Sequence, residues 1–354
     1  MSNRRDFFKT VGAAATGAAL GPQSLPAAPL TEKQKLDRLA SNTWPIRYIF
    51  KSRTGFGRGQ TAQELKKKYG EITMLDFPQF TKDTFPGVTH MDLFSGLFGD
   101  ASDDSQWVNV PLTVGAATRV TQEFDPSSES GKRWLSQMAN TMAKTGTRCQ
   151  HISNNAPRDI CELDAEKRKA GIAVAKNWLD GAKMLGAKSM RVNSGGPRIL
   201  PQLTNGSDGY PKADELAVYL RNCIESFKIM ADHSAKVGVK VTLENHWGLT
   251  ANPINIRIIV DEVGSKFCEA SPDFCNWEHE YLMYNGLKAL APYAHTNVHA
   301  KYWSRWGDNN NVRRSVKIMM DAGFEGTFAL EYEEGPWDGI EGSKYLYKEV
   351  LAAL

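Results

Sequence analysis

The sequence predicts a single-domain (β/α)8 barrel, the TIM-barrel architecture, over residues 40–354. Short apolar runs alternate with amphipathic helical stretches from about Ala40 onward, with no compositional break that would mark a second domain. Four metal-type side chains, Glu244, Asp273, His299 and Glu331, each close an apolar run at intervals of 29, 26 and 32 residues, one strand plus one helix each. A doubly wound sheet would not bring four successive strand ends to one point, whereas a closed barrel does.

The expected strands are 44–50, 88–94, 147–153, 188–193, 239–244, 266–273, 295–299 and 327–331. Runs such as Val239-Lys-Val-Thr-Leu243 and Thr327-Phe-Ala-Leu330 read as buried parallel strands. Two short helices, 61–69 and 77–85, precede the second strand. Stretch 96–126 is polar and rich in Gly, Asp and Ser, which predicts a long loop over the barrel mouth that could serve as a lid. The strongest helical patterns are 164–185, with Ala173, Trp178, Ala182 and Leu185 on one stripe, and 214–237. Gly186, Gly238 and Gly323 follow helical runs and precede strands, where a carboxyl-terminal cap belongs.

Three carboxylates and an imidazole brought to one barrel end would repel and desolvate one another, so the pattern implies one divalent cation. Oxygen-rich ligation with a single imidazole prefers Mn2+, with Mg2+, Co2+ and Zn2+ also compatible. A formal net charge of +3 over 354 residues does not indicate a nucleic-acid surface, and small molecules are the expected partners. Five cysteines without a CxxC pair argue against a disulfide framework. Cys149 and Cys268 read as core, while Cys275, two residues beyond Asp273, could line the site.

The amino terminus carries Arg4-Arg5, Phe7-Phe8 and Lys9 before a mildly apolar Ala/Gly stretch, and it resembles a twin-arginine export signal. Residues 1–30 are therefore read as signal and linker, with cleavage between about Ala15 and Ala28, no membrane span retained, and a periplasmic or extracellular location.

The motifs Lys188–Asn193, Glu244-Asn-His-Trp-Gly, Ser271–Trp277, Val298-His-Ala-Lys-Tyr and Leu330-Glu-Tyr, in this order and at one-unit spacing, resemble the xylose-isomerase-like barrel superfamily of sugar and sugar-phosphate isomerases and epimerases. The resemblance implies that Glu244, Asp273, His299 and Glu331 hold the cation. It also implies that Glu244 and Glu331 form the acid/base pair of a metal-dependent sugar isomerase or epimerase working through an enediolate. Asn276 stands where many relatives have a histidine. His246, Asn276, Lys301, Arg191, Asn193 and Trp247 are the expected substrate contacts, Asn154 and Asn155 lie at the mouth, and His90 lies at the start of the second strand.

Export disfavours a phosphorylated substrate, and Trp247, Trp277, Tyr302, Trp303, Trp306 and Trp337 offer faces for a non-phosphorylated sugar. A lyase or hydratase acting on a 3-keto sugar or glycoside would use the same site. An endonuclease IV-like phosphodiesterase needs further histidine and aspartate ligands that this chain lacks, and a non-catalytic sugar-binding barrel would show no carbon-bound exchange. A homo-oligomer is compatible with the sequence.

Overall fold

The computed structural model describes residues 29–53, 55–114, 117–196 and 213–354. Ten strands occur among them: β1 (Leu39–Asn42), β2 (His90–Phe94), β3 (Trp107–Val114), β4 (Ala117–Phe124), β5 (Arg148–Ser153), β6 (Ser189–Arg191), β7 (Lys240–Leu243), β8 (Cys268–Ala270), β9 (Asn297–Trp303) and β10 (Thr327–Glu334). Eight are parallel, in the order β8-β7-β6-β5-β2-β1-β10-β9, and β3 pairs β4 antiparallel outside that sheet. The ring closes between the two end strands. There Asp273 bridges His299 in parallel, with His299 N donating to Pro272 O and Phe274 N to His299 O, both at 3.1 Å. Residues Glu32–Leu354 make one unit, and the expected twin-arginine signal and cleavage region, at residues 1–28, lie outside the described residues.

Helices between the strands bury one face each. Val312–Asp321 turns Val312, Ser315, Val316 and Met319 inward, the i, i+3, i+4, i+7 stripe of a surface helix. Its start is capped by Asn311, whose side chain accepts the Arg314 N–H at 3.0 Å. In Ala165–Met184 the buried stripe is Gly171, Ala175, Trp178, Leu179, Gly181 and Ala182, and Ala173, expected on it, is exposed on the other side of the helix. Gly186, Gly238 and Gly323 all take positive φ at the helix-to-strand turns.

Two expectations are corrected. The first strand is Leu39–Asn42, not 44–50, which instead forms a turn and a 3-10 helix, Arg47–Ile49. The run from Trp44 to Phe50 is apolar because Ile46, Ile49 and Phe50 are buried, not because it pairs in the sheet. Stretch 96–126 is no simple loop, since it holds the β3–β4 hairpin. Its base is anchored by Phe124, whose ring centroid lies 5.3 Å from Trp134, 5.8 Å from Trp178 and 6.0 Å from Phe98.

The last helix, Gly339–Ala353, begins against the turn that follows β1, and a Cβ at Gly339 would overlap the carbonyl oxygen of Pro45. Gly339→Ala should therefore cost about 1–3 kcal/mol of stability, read as a lowered urea midpoint. An unchanged midpoint would show that this turn can yield.

Candidate metal centre

Two of the four candidate ligands lie at carboxyl-terminal strand ends and two lie within strands. Glu244 directly follows β7, Asp273 lies just beyond β8, and His299 and Glu331 are set within β9 and β10. All four are buried, Asp273 and His299 completely. His299 Nδ1 is the hub: Glu331 Oε2 lies 3.3 Å from it, Glu244 Oε2 3.5 Å and Asp273 Oδ2 3.6 Å. Glu244, Asp273 and His299 offer ligand atoms all within 4.8 Å of one another.

Two of these atoms decide whether the residues suit a cation. His299 Nδ1 and Asp273 Oδ2 are fully buried and have no hydrogen-bond partner. Orphaned buried polar atoms cost free energy unless something satisfies them, and both point into the same carboxylate-rich space. The oxygen-rich set with one imidazole fits a hard or borderline divalent ion.

The backbone around Asp273 is tightly held. Its other oxygen, Oδ1, accepts the N–H groups of Cys275 (2.6 Å) and Asn276 (2.9 Å), while Asn245 accepts the Asp273 N–H at 2.8 Å. That leaves Oδ2 aimed at the hub. Two buried cations flank the set. Arg191 Nη1 donates to Glu244 Oε2 at 2.5 Å, and Lys301 Nζ lies 2.8 Å from Glu331 Oε1, 3.1 Å from Glu333 Oε2 and 3.4 Å from Asp273 Oδ2.

Burial acts on every ionisable group of the cluster, and neighbouring charges decide the outcome. Burial raises both glutamates. For Glu244 it is overcome by Arg191 and His299, leaving the carboxyl well below its ordinary range, whereas Glu331 stays raised despite Lys301 and His299. Burial lowers Lys301 and His299, yet the surrounding carboxylates hold both well above their usual values.

Among the expected substrate contacts, Arg191, Asn276 and Lys301 join the ligand carboxylates. The Asn276 amide donates to Glu244 Oε1 at 2.8 Å and accepts from Lys301 Nζ at 3.1 Å. Asn193 is buried and donates to Asn155 Oδ1 at 3.1 Å, so its bond points along the mouth and not to the hub. His246 is exposed on the turn after β7, its ring 6.1 Å edge-on from Trp247.

Trp277 does not line the mouth. It is 1% exposed, with Nε1 donating to Phe274 O, because the residue after Asn276 turns back into the core. Cys275 is likewise buried behind the site, its Sγ 3.1 Å from Lys301 O. Trp303 and Trp306 flank the Arg305 guanidinium at 4.4 and 4.2 Å, and Tyr302 stacks on Tyr332.

Several members of the cluster escaped the sequence reading. Glu333, two residues past Glu331, takes Lys301 on one side, the Trp44 indole N–H at 2.7 Å and Arg47 at 3.6 Å. Asn42, the last residue of β1, donates to Glu331 Oε2 at 3.1 Å. Asp92, in the middle of β2, is completely buried and bonds Ser153 Oγ (2.8 Å), Asn297 Nδ2 (3.0 Å) and His299 Nε2 (2.9 Å). Burial pushes its pKa up, but the His151 and His299 imidazoles outweigh this and bring it to about 2. A carboxylate inside the apolar run Met91–Phe94 was the available signal. His90 occupies the opposite, amino-terminal end of the same strand.

The chain matches the model of the xylose isomerase-like TIM barrel family over residues 115–353. No curated protein sequence matches it. Among solved structures, a xylose isomerase-like TIM barrel protein from Mycobacterium smegmatis in complex with magnesium is 16% identical, aligns over 90% of this chain and 97% of its own, and has a TM-score of 0.55. An L-ribulose 3-epimerase is 13% identical over 90% of this chain and 94% of its own, with a TM-score of 0.57. The probable 3-DHS dehydratase AsbF from Bacillus anthracis is 14% identical over 88% and 97%, with a TM-score of 0.53. At such identities these likenesses speak for the fold, and the family match covers most of the barrel. The chain belongs to the xylose isomerase-like TIM barrel family.

Proposed function

We propose that the chain is a divalent-metal-dependent sugar isomerase or epimerase that removes a proton α to a carbonyl and returns it. The observation that carries this reading is the unpartnered His299 Nδ1, faced by carboxylate oxygens of Glu331, Glu244 and Asp273 at 3.3–3.6 Å. These four residues are the proposed ligands, with Mn2+ the preferred ion. When bound, such an ion supplies Lewis acidity toward a sugar carbonyl and its neighbouring hydroxyl.

The chain's own groups do the rest. Glu331 and Glu244 leave the barrel on β10 and β7, with β8 and β9 between them, so they address a bound sugar from different sides. One takes the α proton and the other returns it. The Arg191 and Lys301 cations offset the negative charge that develops on the enediolate. Asn276 holds Glu244 and Lys301 in register.

The substrate is proposed to be a non-phosphorylated sugar or glycoside. Beside the ligand set, Arg191, Lys301 and Arg47 each face a carboxylate, which favours a neutral ligand. Trp247, Trp303 and Trp306 would cover its C–H faces. The twin-arginine-like segment makes export to the periplasm or beyond part of the same proposal. A specific contact also favours a second reading: the Lys301 ammonium beside Glu331 is a proton source for a departing hydroxyl, which would turn the shared α-deprotonation into elimination. A dehydrated product would reveal it.

Two measurements test the proposal. Mn2+ at a hundredfold its dissociation constant should stabilise the metal-stripped protein by about 2.7 kcal/mol, and His299→Ala should abolish that gain. A panel of ketoses and 3-keto sugars in D2O should show deuterium uptake at the carbon beside the carbonyl. Glu331→Gln should retain the ion yet slow exchange roughly 10²- to 10⁴-fold, and undiminished turnover would remove Glu331 from the acid/base role.

A further inference from the structure

We propose that Asp92 is the positioning residue of the metal centre, its carboxylate holding His299 with the ring proton on Nε2 and the Nδ1 lone pair turned toward Glu244, Asp273 and Glu331. The inference rests on the reading of those four groups as ion ligands.

A neutral imidazole can offer only one nitrogen to a cation, and the bond made by the other nitrogen decides which one it is. His299 Nε2 lies 2.9 Å from Asp92 Oδ2, and an ionised carboxylate only accepts, so the ring proton belongs on Nε2. Ser153 Oγ also comes within 3.2 Å of Nε2, but its own hydrogen goes to Asp92 Oδ1 at 2.8 Å.

The carboxylate is itself clamped. Asn297 Nδ2 donates to Asp92 Oδ2 at 3.0 Å, and that amide is oriented in turn by the Thr327 hydroxyl, which donates to Asn297 Oδ1 at 2.7 Å. β2 and β9 are separated in the sheet by β1 and β10, so the Asp92 bonds to Asn297 and His299 reach through the lumen and join strands that are not neighbours. A completely buried carboxylate is costly to keep, and here every bond it makes either orients His299 or orients Asp92 itself.

The same neighbourhood offers a rival use. Asp92, His151 and His299 present ligand atoms within 4.8 Å of one another, and His151 Nε2 has no partner. A second ion there would make Asp92 a ligand. It would also have to displace the proton from His299 Nε2 while Nδ1 served the first site, and the 2.9 Å bond to Asp92 argues for the proton.

Calorimetric titration of the metal-stripped full chain with Mn2+ separates these readings. The wild type should bind one ion, and Asp92→Asn should weaken it roughly 10- to 100-fold. The replacement keeps volume but can set an amide N–H against Nε2, which moves the ring proton to Nδ1 and blocks the ligand atom. A merely structural role would lower the thermal midpoint of the metal-free protein and leave Mn2+ affinity intact, and that result would overturn the proposal. Two ions per chain would overturn it as well.

Histidine 15N NMR of the Mg2+-loaded wild type needs no variant, so it decides the matter even if Asp92→Asn does not fold. The His299 ring proton should reside on Nε2, and a proton on Nδ1 would refute the assignment. If the wild type bound no divalent ion, the metal reading and this role would fall together. An Asp92-dependent ion without carbon-bound exchange on any sugar would sink only the proposed chemistry.

Discussion

Five carboxylates, Asp92, Glu244, Asp273, Glu331 and Glu333, are packed into one cluster with three guanidinium or ammonium groups, Arg47, Arg191 and Lys301. With His299 neutral, as a ligand imidazole must be, two negative charges are left over, which a divalent ion would balance. Desolvated like charges are among the most costly arrangements a protein can hold, and the cluster is built to limit that cost. Each cation touches at least one carboxylate, and Asn42, Asn245, Asn276 and Asn297 spend their amides on carboxylate oxygens or on the backbone beside them.

The cluster is also where the barrel closes. β8 is only three residues long, and past its end the contact with β9 is made by Pro272, Asp273 and Phe274 against His299, with Ser271 Oγ donating to Asn297 O at 2.8 Å. Two of the four proposed ligands therefore form the seam of the sheet. An ion gripped by both would reinforce that seam, so ligand geometry and barrel closure depend on each other.

The polar interior distinguishes this barrel from one filled with branched aliphatic side chains. His151 bonds Ser189 at 2.8 Å, and Asp92, Ser153, Asn297, His299 and Thr327 make a continuous hydrogen-bonded chain through the lumen. Such a network rigidifies a core only when its members are satisfied. Within the proposed ligand set, His299 Nδ1 and Asp273 Oδ2 are the atoms without a partner, and they mark the place where an ion can bind.

The sequence by itself determined the architecture and the four converging groups, because one strand and one helix per unit impose a period that Glu244, Asp273, His299 and Glu331 all obey. It also determined the helix-to-strand turns at Gly186, Gly238 and Gly323, since positive φ is a local demand. Local pattern failed where a neighbour distant in sequence set the environment. The run from Trp44 to Phe50 is apolar in order to pack as a turn, Trp277 folds away from the mouth, and the polar stretch near residue 100 leads into a hairpin anchored by aromatics from two helices. Only the tertiary structure decided that Arg191 pairs with Glu244, that Lys301 sits among three carboxylates, and that Asp92 reaches through the lumen to His299. The physical reason is that strand period dictates which side chains point inward, whereas ring closure dictates which of them meet.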